Sequence, residues 1–249
     1  MIEGMTRRAL VTGASRGIGA AVAQALARQG HQVAVHYRSG ADEARAVAAS
    51  LPGDGHVTVQ GDLGADQAGQ VVEETVEKLG GLDVLVNNAG LYFHHPITTT
   101  SFEEWQQAWR RTVELNLYGP ADLAWHAVRH MTRGGRIVNV GSRGAYRGEP
   151  DAPAYGAAKA GLHAMTQSLA QSLAPQGIAV AGVAPGFVRT GMVTDLLASE
   201  EGELIRAQSP FGRVAEPEEV AAAVAWLTTE NALWASGTII DVNGASYLR

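Results

Sequence analysis

The amino-acid sequence predicts an α/β fold. The chain is expected to form a single Rossmann-type domain over residues 1–249, with a doubly wound sheet of about seven parallel strands and helices on both faces. Three observations support this prediction. Short runs rich in β-branched residues alternate with longer segments whose apolar residues recur at helical spacing. A glycine-rich turn, TGASRGIG, follows the first of these runs. No repeat or low-complexity linker divides the chain.

The predicted strands and helices alternate along the whole chain. The strands are Arg8–Thr12, Val33–Tyr37, Val57–Gln60, Asp83–Asn87, Arg136–Val140, Ile178–Ala184 and Thr238–Val242. The helices are 17–29, 41–50, 66–79, 101–131, 153–174 and 217–228. This alternation predicts a parallel sheet covered by helices on both faces, because parallel strands are joined by crossover connections that are usually helical. Residues 1–6 are left out of the predicted fold, because this terminus is expected to be disordered.

Several residues mark the ends of the predicted helices. The SFEE sequence that begins at Ser101 is a capping box, and Pro217 suits a first helical position. Gly30 and Gly177 follow helix ends, where a left-handed residue is common. Pro120 lies inside the longest helical segment and is expected to kink it or to loosen one turn.

The segment 186–216 separates the sixth strand from the next clear helix and is expected to be a substrate loop or lid. Its apolar residues suit short helices over an apolar substrate pocket, and they suit packing against the body of the domain equally well. These residues are Leu196, Leu197, Leu204 and Ile205.

Composition limits the classes of partner. The net charge of −6 and the lack of a long basic run argue against a nucleic-acid surface. No apolar run is long enough for a membrane span and no signal-peptide pattern opens the chain, so a cytoplasmic protein that binds small molecules is expected. There is no Cys, and His126 and His130 have ligand spacing without a third ligand, so no metal is expected.

The TGASRGIG stretch at 12–19 fits two kinds of site. Its GASRG part matches the nucleophile elbow of hydrolases, and the same glycines can expose helix N-terminal amides to a phosphate. An elbow needs upstream strands and a downstream His, whereas only one strand precedes Ser15 and the last histidine, His163, lies within a helix. A Rossmann-type dinucleotide site is therefore favoured.

A second group of polar residues lies farther along the chain. Tyr155 and Lys159 are four residues apart in a predicted helix and share a face, which places an ammonium group to lower the pKa of the phenol. Ser142 follows the fifth strand, and Asn116 lies in the helix before it. These elements converge at the carboxyl edge of a parallel sheet, where such folds bind ligands.

Together these residues resemble the short-chain dehydrogenase/reductase family, most closely in pattern the 3-oxoacyl-[acyl-carrier-protein] reductases. The resemblance extends from the first strand to the DVNG sequence at 241–244. Its motifs are TGASRGIG at 12–19, Asn87-Asn88-Ala89-Gly90, Asn116, Ser142, Tyr155-x-x-x-Lys159, and Pro185-Gly186 with Thr190. Gln176 and the Gly141-Ser142-Arg143 sequence depart from the commoner pattern and leave the substrate open.

The resemblance implies reduction of a ketone to a secondary alcohol, with a 3-oxoacyl thioester as the first expected substrate. Tyr155 would give its proton to the carbonyl oxygen, and Lys159 would lower the pKa of Tyr155 and bind the nicotinamide ribose. Ser142 would hold the substrate oxygen, and Asn116 would anchor a water. An alcohol, sugar or steroid dehydrogenase of the same mechanism remains an alternative, as does a non-catalytic NADP-binding regulatory protein. Relatives also imply a homotetramer.

The resemblance also implies a set of cofactor contacts. Gly13, Gly17 and Gly19 are expected to line the pyrophosphate, with Ser15 as a further phosphate contact, and Arg16 and Ile18 of the same turn are also expected to contact the cofactor. Those expected at the adenosine are Asp62, Leu63, Asn88, Ala89 and Gly90. Those expected at the nicotinamide are Tyr155, Lys159, Pro185, Gly186, Phe187, Val188 and Thr190. Asn87 is expected to be structural.

The residues after the second strand favour NADP(H) over NAD. A site for NAD places a carboxylate there to accept from the ribose 2′-hydroxyl. The sequence instead has Arg38 and Ser39, and no acid precedes Asp42 in the next helix. With Arg16 in the glycine turn, Arg38 can bind a 2′-phosphate through charge-assisted hydrogen bonds.

A few charged and histidine residues near the site have open roles. Arg143 and Arg147 are placed to attract an anionic substrate or carrier, but pairing with Glu149 and Asp151 is the favoured role, since exposed ion pairs are common. The remaining candidates are His94 and His95 beside the substrate cleft, and Arg129 and Arg133 as docking residues for an acidic carrier.

Overall fold

The structure, a computed structural model, describes residues 7–191 and 200–249. Its seven strands are β1 (Arg8–Val11), β2 (Gln32–Tyr37), β3 (Val57–Gln60), β4 (Val84–Asn87), β5 (Arg136–Val140), β6 (Ala179–Pro185) and β7 (Ile239–Val242). They form one sheet in the order β3-β2-β1-β4-β5-β6-β7, and every neighbouring pair is parallel. This confirms the predicted fold class.

Helices cover both faces of this sheet. They are α1 (Gly17–Arg28), α2 (Ala41–Ser50), α3 (Ala68–Leu79), α4 (Phe102–Val113), α5 (Gly119–Ala127), α6 (Gly144–Arg147), α7 (Pro153–Leu173), α8 (Glu200–Ala207) and α9 (Pro217–Leu227). Short 3₁₀ segments lie at Ala174–Gln176 and Glu230–Ala235. None of the helices in the described ranges has the length and apolar character needed to cross a membrane.

Alternate strand residues point to opposite layers, as the period of a β-strand requires. Ala9 and Val11 belong to a core that includes buried residues of α1 and α9. Leu10 and Leu85 belong to the opposite core, with residues of α3, α5 and α7. Each fully buried Leu or Val stabilises the fold by about 1.5–3 kcal/mol.

The residues predicted to mark helix ends do so, although the helix predicted over 101–131 already ends at Ala127 and the one predicted from 66 begins at Ala68. Ser101 Oγ accepts from the backbone nitrogen of Glu104, whose carboxylate accepts from the backbone nitrogen of Ser101 at 3.1 Å. Pro217 opens α9, and Gly30 and Gly177 have φ values of 85° and 75° after helix ends.

The long segment 101–131 is divided where Pro120 predicts a disturbance. A π-helical turn at Glu114–Tyr118 separates α4 from α5, and Pro120 lies in the first turn of α5. Pro120 has no N–H to donate to the carbonyl of Asn116, four residues earlier, so the regular α-helical ladder is interrupted at Asn116.

The predicted loop at 186–216 contains some regular structure. Val188 forms a bridge with Ala215, and α8 follows at 200–207. Ile205 is buried against Val214 and Phe187, whereas Leu204 is exposed. Leu196 and Leu197 lie outside the described residues.

Candidate active site

The candidate site lies at the carboxyl edge of the sheet. β1 lies between β2 and β4. The strands β2 and β3 are therefore added on one side of β1, and β4 to β7 are added on the other side. This change of direction opens a crevice at the carboxyl ends of the strands, where open α/β sheets bind ligands. The segments after β1, β4, β5 and β6 carry most of the predicted site residues.

The glycine turn after β1 has the form of a phosphate cradle. Gly13 and Gly17 have φ values of 61° and 56°, a left-handed conformation that glycine adopts without strain. A Cβ at Gly19 would lie 2.3 Å from the carbonyl oxygen of Gly13, so a side chain there would force α1 away from the strand. α1 begins without a side-chain cap and without an acid in its first turn. Its first amides therefore fit an anion such as a pyrophosphate.

Thr12 and Asn88 attach the glycine turn to the end of β4. Thr12 Oγ1 accepts from the backbone nitrogens of Asn88 and Ala89, each at 2.9 Å. Asn88 Nδ2 donates to the carbonyl oxygens of Thr12 and Gly13 at 2.8 and 3.2 Å. Asn88 therefore shapes the cradle, and its contact with a cofactor remains a prediction. Sequence analysis assigned no role to Thr12.

His36 is a further residue of the cradle that sequence analysis missed. Its Nδ1 accepts from the backbone nitrogen of Gly13 at 3.1 Å, and its Nε2 lies 3.1 Å from the carbonyl oxygen of Gly61. The proton is therefore on Nε2, and the neutral ring joins the ends of three strands. Burial lowers the pKa of His36 to about 4, which keeps the ring neutral.

The buried histidines predict a loss of stability in mild acid. Burial lowers the pKa values of His31, His36 and His163 to about 4, while the unfolded value is 6.5. Between these values only the unfolded chain takes up the protons, so the free energy of unfolding falls as the pH falls from about 6.5 to 4. The loss approaches about 3 kcal/mol for each histidine. Urea unfolding followed by circular dichroism at several pH values measures it.

The variant His36→Asn isolates one of these contributions. An Asn oxygen can still accept from the Gly13 amide but does not titrate, so we expect a shallower decline of stability with acid. His94→Asn changes an exposed histidine and is the matched control. An unchanged pH slope in His36→Asn would contradict the assigned role of His36.

Arg16 and Arg38 flank the cradle and are both exposed. The backbone nitrogen of Ala14 donates to the carbonyl oxygen of His36 at 2.8 Å, which brings the segments that carry the two arginines side by side. Within residues 7–191 and 200–249, neither guanidinium group forms an ion pair. Their charges therefore remain unneutralised by carboxylates of the described chain.

Arg38 and Asp62 line one cavity of about 480 Å³ beside β3. Asp62 Oδ1 accepts from the backbone nitrogen of Gly64 at 3.0 Å, which orients the carboxylate. Leu63, predicted with Asp62 at the adenine, has its side chain buried in the core, so its backbone is the part left for a ligand. Ser39 is exposed next to Arg38.

Asn116 links the helix before β5 to the loop after β4. Its Nδ2 donates to the carbonyl oxygen of Leu91, and its Oδ1 accepts from the Leu91 nitrogen, both at 2.9 Å. A Cβ built on Gly90 would lie 3.2 Å from Asn116 Oδ1 and 3.6 Å from Lys159 Nζ. The structure therefore brings Asn116, Gly90 and Lys159 together.

Tyr155 lies in the first turn of α7 and is half-buried. Its ring packs edge-on against that of Tyr92, with 5.3 Å between centroids. Burial raises the pKa of Tyr155 to about 12, a hydrogen bond from Ser142 lowers it, and Glu149 and Tyr92 raise it further. This differs from the expectation that Lys159 lowers the pKa of Tyr155, because the cost of burying a phenolate outweighs the hydrogen bond from Ser142.

Lys159 is buried one helical turn after Tyr155. Its Nζ donates to the carbonyl oxygen of Val140 at 2.8 Å and lies 5.7 Å from the centre of the Tyr155 ring. Burial lowers the pKa of Lys159 to about 8. Ser142 Oγ accepts from the backbone nitrogen of Gly144 at 3.0 Å, so its hydroxyl hydrogen is free to point at Tyr155 or at a substrate.

His95 positions the helix that carries Tyr155. Its Nε2 accepts from the backbone nitrogen of Ala154 at 3.2 Å, and its Nδ1 lies 2.8 Å from the carbonyl oxygen of Phe93. His95 thus caps α7 from inside the protein, with both nitrogens engaged. His94 is exposed and, like His95, lines a separate cavity of about 350 Å³ against α4.

The loop after β6 lies against the glycine turn. The backbone nitrogen of Gly186 donates to the carbonyl oxygen of Val242 at 3.1 Å, which holds the loop after Pro185 against β7. Val188 is buried, and a Cβ on Gly17 would lie 3.2 Å from Thr190 Cγ2. The structure therefore places Thr190 beside the cradle.

The remaining candidates lie away from this crevice. His130 Nε2 is 3.0 Å from Glu73 Oε1, and no group of three potential metal ligands occurs in the part of the chain that the structure describes. Asn87 donates to Asn139 Oδ1 at 2.9 Å in the interior, as its structural role predicts. Arg129 packs over the Trp125 ring, and the stem of Arg133 packs on Gly177.

Comparisons with known proteins point to one family over almost the whole chain. A family model described as "Enoyl-(Acyl carrier protein) reductase" matches residues 13–245. The chain is 37% identical over 249 residues to 3-oxoacyl-[acyl-carrier-protein] reductase FabG of Staphylococcus aureus, covering 98% of this chain and 99% of that protein.

Two solved structures are similar throughout. The angucycline C-6 ketoreductase LanV with bound NADP is 36% identical, with a TM-score of 0.87 and coverage of 96% of this chain and 94% of LanV. A short-chain dehydrogenase from Burkholderia cenocepacia in complex with NADP is 34% identical, with a TM-score of 0.86 and coverage of 96% and 97%.

Proposed function

Because the chain belongs to the short-chain dehydrogenase/reductase family of oxidoreductases, we propose that it reduces a ketone to a secondary alcohol with NADPH, with Tyr155 as general acid. The observation that carries this proposal is the contact between Ser142 and Tyr155 beside the buried Lys159. These three groups lie at the sheet edge where the glycine cradle fits a dinucleotide.

Tyr155 is suited to give up a proton to a carbonyl oxygen. With a pKa of about 12, the phenol keeps its proton at neutral pH, as a general acid must. Ser142 can donate a hydrogen bond to the same carbonyl oxygen and polarise it. When bound, NADPH supplies the hydride for the carbonyl carbon. Proton and hydride together convert the ketone into the alcohol.

Lys159 supports this step through its charge. It lies beside Gly90, which is expected to line the cofactor, so it is placed to bind ribose hydroxyls and to stabilise negative charge on Tyr155 after proton transfer. Asn116 holds the loop that contains Gly90 and thereby sets the distance to Lys159.

NADPH rather than NADH is supported by the charges around the cradle. Arg16 and Arg38 lie on adjacent segments without carboxylate partners in the described chain, and Asp42 pairs with Arg45 in α2. An NAD site would place an acid near Arg38. The structures of LanV and of the Burkholderia cenocepacia protein contain NADP.

A 3-oxoacyl thioester is the first substrate class to expect, because the Staphylococcus aureus relative is named for that activity. A second candidate is a polycyclic ketone, which the similarity to LanV favours. We place the reaction in the cytoplasm.

A homotetramer would cover exposed apolar side chains. Phe102 at the start of α4, Trp125 on α5, and Leu233 and Trp234 before β7 are exposed in the single chain. Burial of such groups between subunits is favourable.

The proposal is tested by following NADPH absorbance with the purified protein. The panel contains an acetoacetyl thioester, a polycyclic ketone, a sugar and a steroid ketone, each with NADPH and with NADH. We expect the thioester and NADPH to give the highest kcat/KM. A higher value for the polycyclic ketone would favour the second candidate, and no oxidation with any ketone would contradict the function.

A further inference from the structure

Arg143 follows Ser142 directly and is almost wholly enclosed, with 3% of its surface exposed. Its backbone nitrogen donates to the carbonyl oxygen of Pro185 at 3.0 Å. Its guanidinium carbon lies 5.2 Å from the centre of the Phe187 ring. The side chain is therefore held between the loops after β5 and β6, both of which carry predicted site residues.

The charge of Arg143 has no carboxylate partner in the ranges 7–191 and 200–249. Neighbouring arginines do have one. The pairs are Arg147 with Glu149 at 3.8 Å, Arg213 with Glu219 at 2.7 Å and Arg249 with Asp241 at 2.9 Å. Arg143 instead donates from Nη2 to the neutral amide of Gln208. A guanidinium group has five N–H donors, and the described residues accept from one of them through Gln208, which leaves further donors of Arg143 for a ligand.

Burial of this charge without a carboxylate is unfavourable. Burial lowers the pKa of Arg143 to about 10, the charge of Arg147 lowers it further and that of Glu149 raises it. The group is nevertheless charged at neutral pH. A buried cation is normally paired, because its lost hydration must be replaced. A bound anion would supply that replacement.

Arg143 lines a cavity of about 230 Å³ that can hold such an anion. About half of the other residues that line it are apolar, among them Phe187, Ile205, Phe211, Val214 and Val242. Two carboxylates, Glu219 and Asp241, also line the cavity, but they are paired with Arg213 and Arg249. Arg143 is therefore the charge at this cavity that has no ion-pair partner within the described residues. An occupant with a short apolar segment and one anionic end matches this distribution of charge.

We propose that Arg143 binds a carboxylate of the ketone substrate, so that the preferred substrate is an oxo acid or an oxoacyl thioester whose acyl chain ends in a carboxylate. This inference rests on the proposed ketone reduction and names the substrate class of that site. The backbone of Arg143 follows Ser142 directly and bonds to Pro185, so its side chain starts from the loop that carries the hydroxyl proposed to hold the carbonyl oxygen. Arg147 is excluded from this role because it is paired with Glu149.

The test compares each acid with its own methyl ester. The probes are levulinate and methyl levulinate, and the N-acetylcysteamine thioesters of an oxoacyl chain that ends in a carboxylate or in its methyl ester. For the wild-type protein with NADPH, we expect kcat/KM for the acid to exceed that for the ester about 10- to 100-fold, as for a hydrogen bond to a charged group. The two pairs show whether the carboxylate belongs to a free acid or to an acyl chain.

Variants assign the preference to one side chain. Arg143→Met should abolish the preference for the acid while leaving turnover of the ester, and Arg143→Lys should retain part of it. Arg147→Met removes a neighbouring arginine from the opposite end of α6 and should keep the full preference. Thermal melting of each variant reports folding, and if Arg143→Met does not fold, the wild-type pairs and Arg143→Lys decide the result.

The outcomes separate this inference from the proposed function. Equal reduction of acid and ester by the wild-type protein overturns the inference and leaves ketone reduction intact. An equal loss for both substrates in Arg143→Met assigns a structural role to Arg143 and also overturns it. No oxidation of NADPH by any ketone overturns the proposed function, and the inference with it.

Discussion

We expect Tyr155→Phe to reduce kcat for ketone reduction by about 10²- to 10⁴-fold, the usual contribution of a general acid. The variant keeps the ring, its packing against Tyr92 and the first turn of α7, but it removes the phenol proton beside Ser142. The affinity for NADPH should stay close to that of the wild type. Steady-state kinetics and fluorescence titration with NADPH measure the two quantities separately.

Tyr146→Phe is the matched control, because it removes a phenol hydroxyl on the nearby helix α6. The Tyr146 ring packs on Arg249 and His163, outside the catalytic set. We expect Tyr146→Phe to retain most of the activity. Turnover of Tyr155→Phe at the level of this control would show that another group donates the proton.

We expect Arg38→Asp to reverse the cofactor preference. The change removes charge-assisted hydrogen bonds to the 2′-phosphate, worth about 1.5–3 kcal/mol each, and adds repulsion, so kcat/KM with NADPH should fall about 10²- to 10³-fold. The new carboxylate stands where an NAD site places its acid and can accept from the 2′-hydroxyl of NADH. The measurement is the ratio of kcat/KM for NADPH to that for NADH.

Arg45→Asp is the control for the change of net charge. Arg45 is an exposed arginine of α2 that pairs with Asp42. This variant should keep the preference for NADPH, since long-range charge effects at the surface are screened. If the two variants alter the ratio equally, Arg38 has no specific contact with the phosphate.

The sequence predicts those parts of the molecule that depend on local spacing. Each predicted strand is present, with ends that differ by one residue or less, because burial on both faces produces short continuous apolar runs. Pro120 correctly marks the interruption of the long helix, since a missing N–H acts on the turn that contains it. The capping box at Ser101 is likewise a local signal.

Contacts between distant segments were not predictable in the same way. His36 bonds to Gly13 and Gly61, and His95 bonds to Ala154, across separations of 23, 25 and 59 residues. The sequence around a histidine in a strand or loop contains no repeating pattern that indicates its hydrogen-bond partner. The direction in which the Tyr155 pKa shifts also depends on how deeply the side chain is buried. The four-residue spacing between Tyr155 and Lys159 does not indicate this burial.

The sequence by itself therefore determined the α/β fold class, the glycine turn, the Tyr155 and Lys159 pair and the lack of an acid beside Arg38. The first three features follow from the residue periodicity of strands and helices and from the conformational freedom of glycine. The fourth is read directly from the residue types after the second strand. Only the tertiary structure decided that His36 is a neutral support of the cradle, and that Arg147 has a carboxylate partner while Arg143 has none in the described chain. The reason is that hydrogen bonding, desolvation and charge pairing depend on which distant groups the packed core brings within a few ångströms.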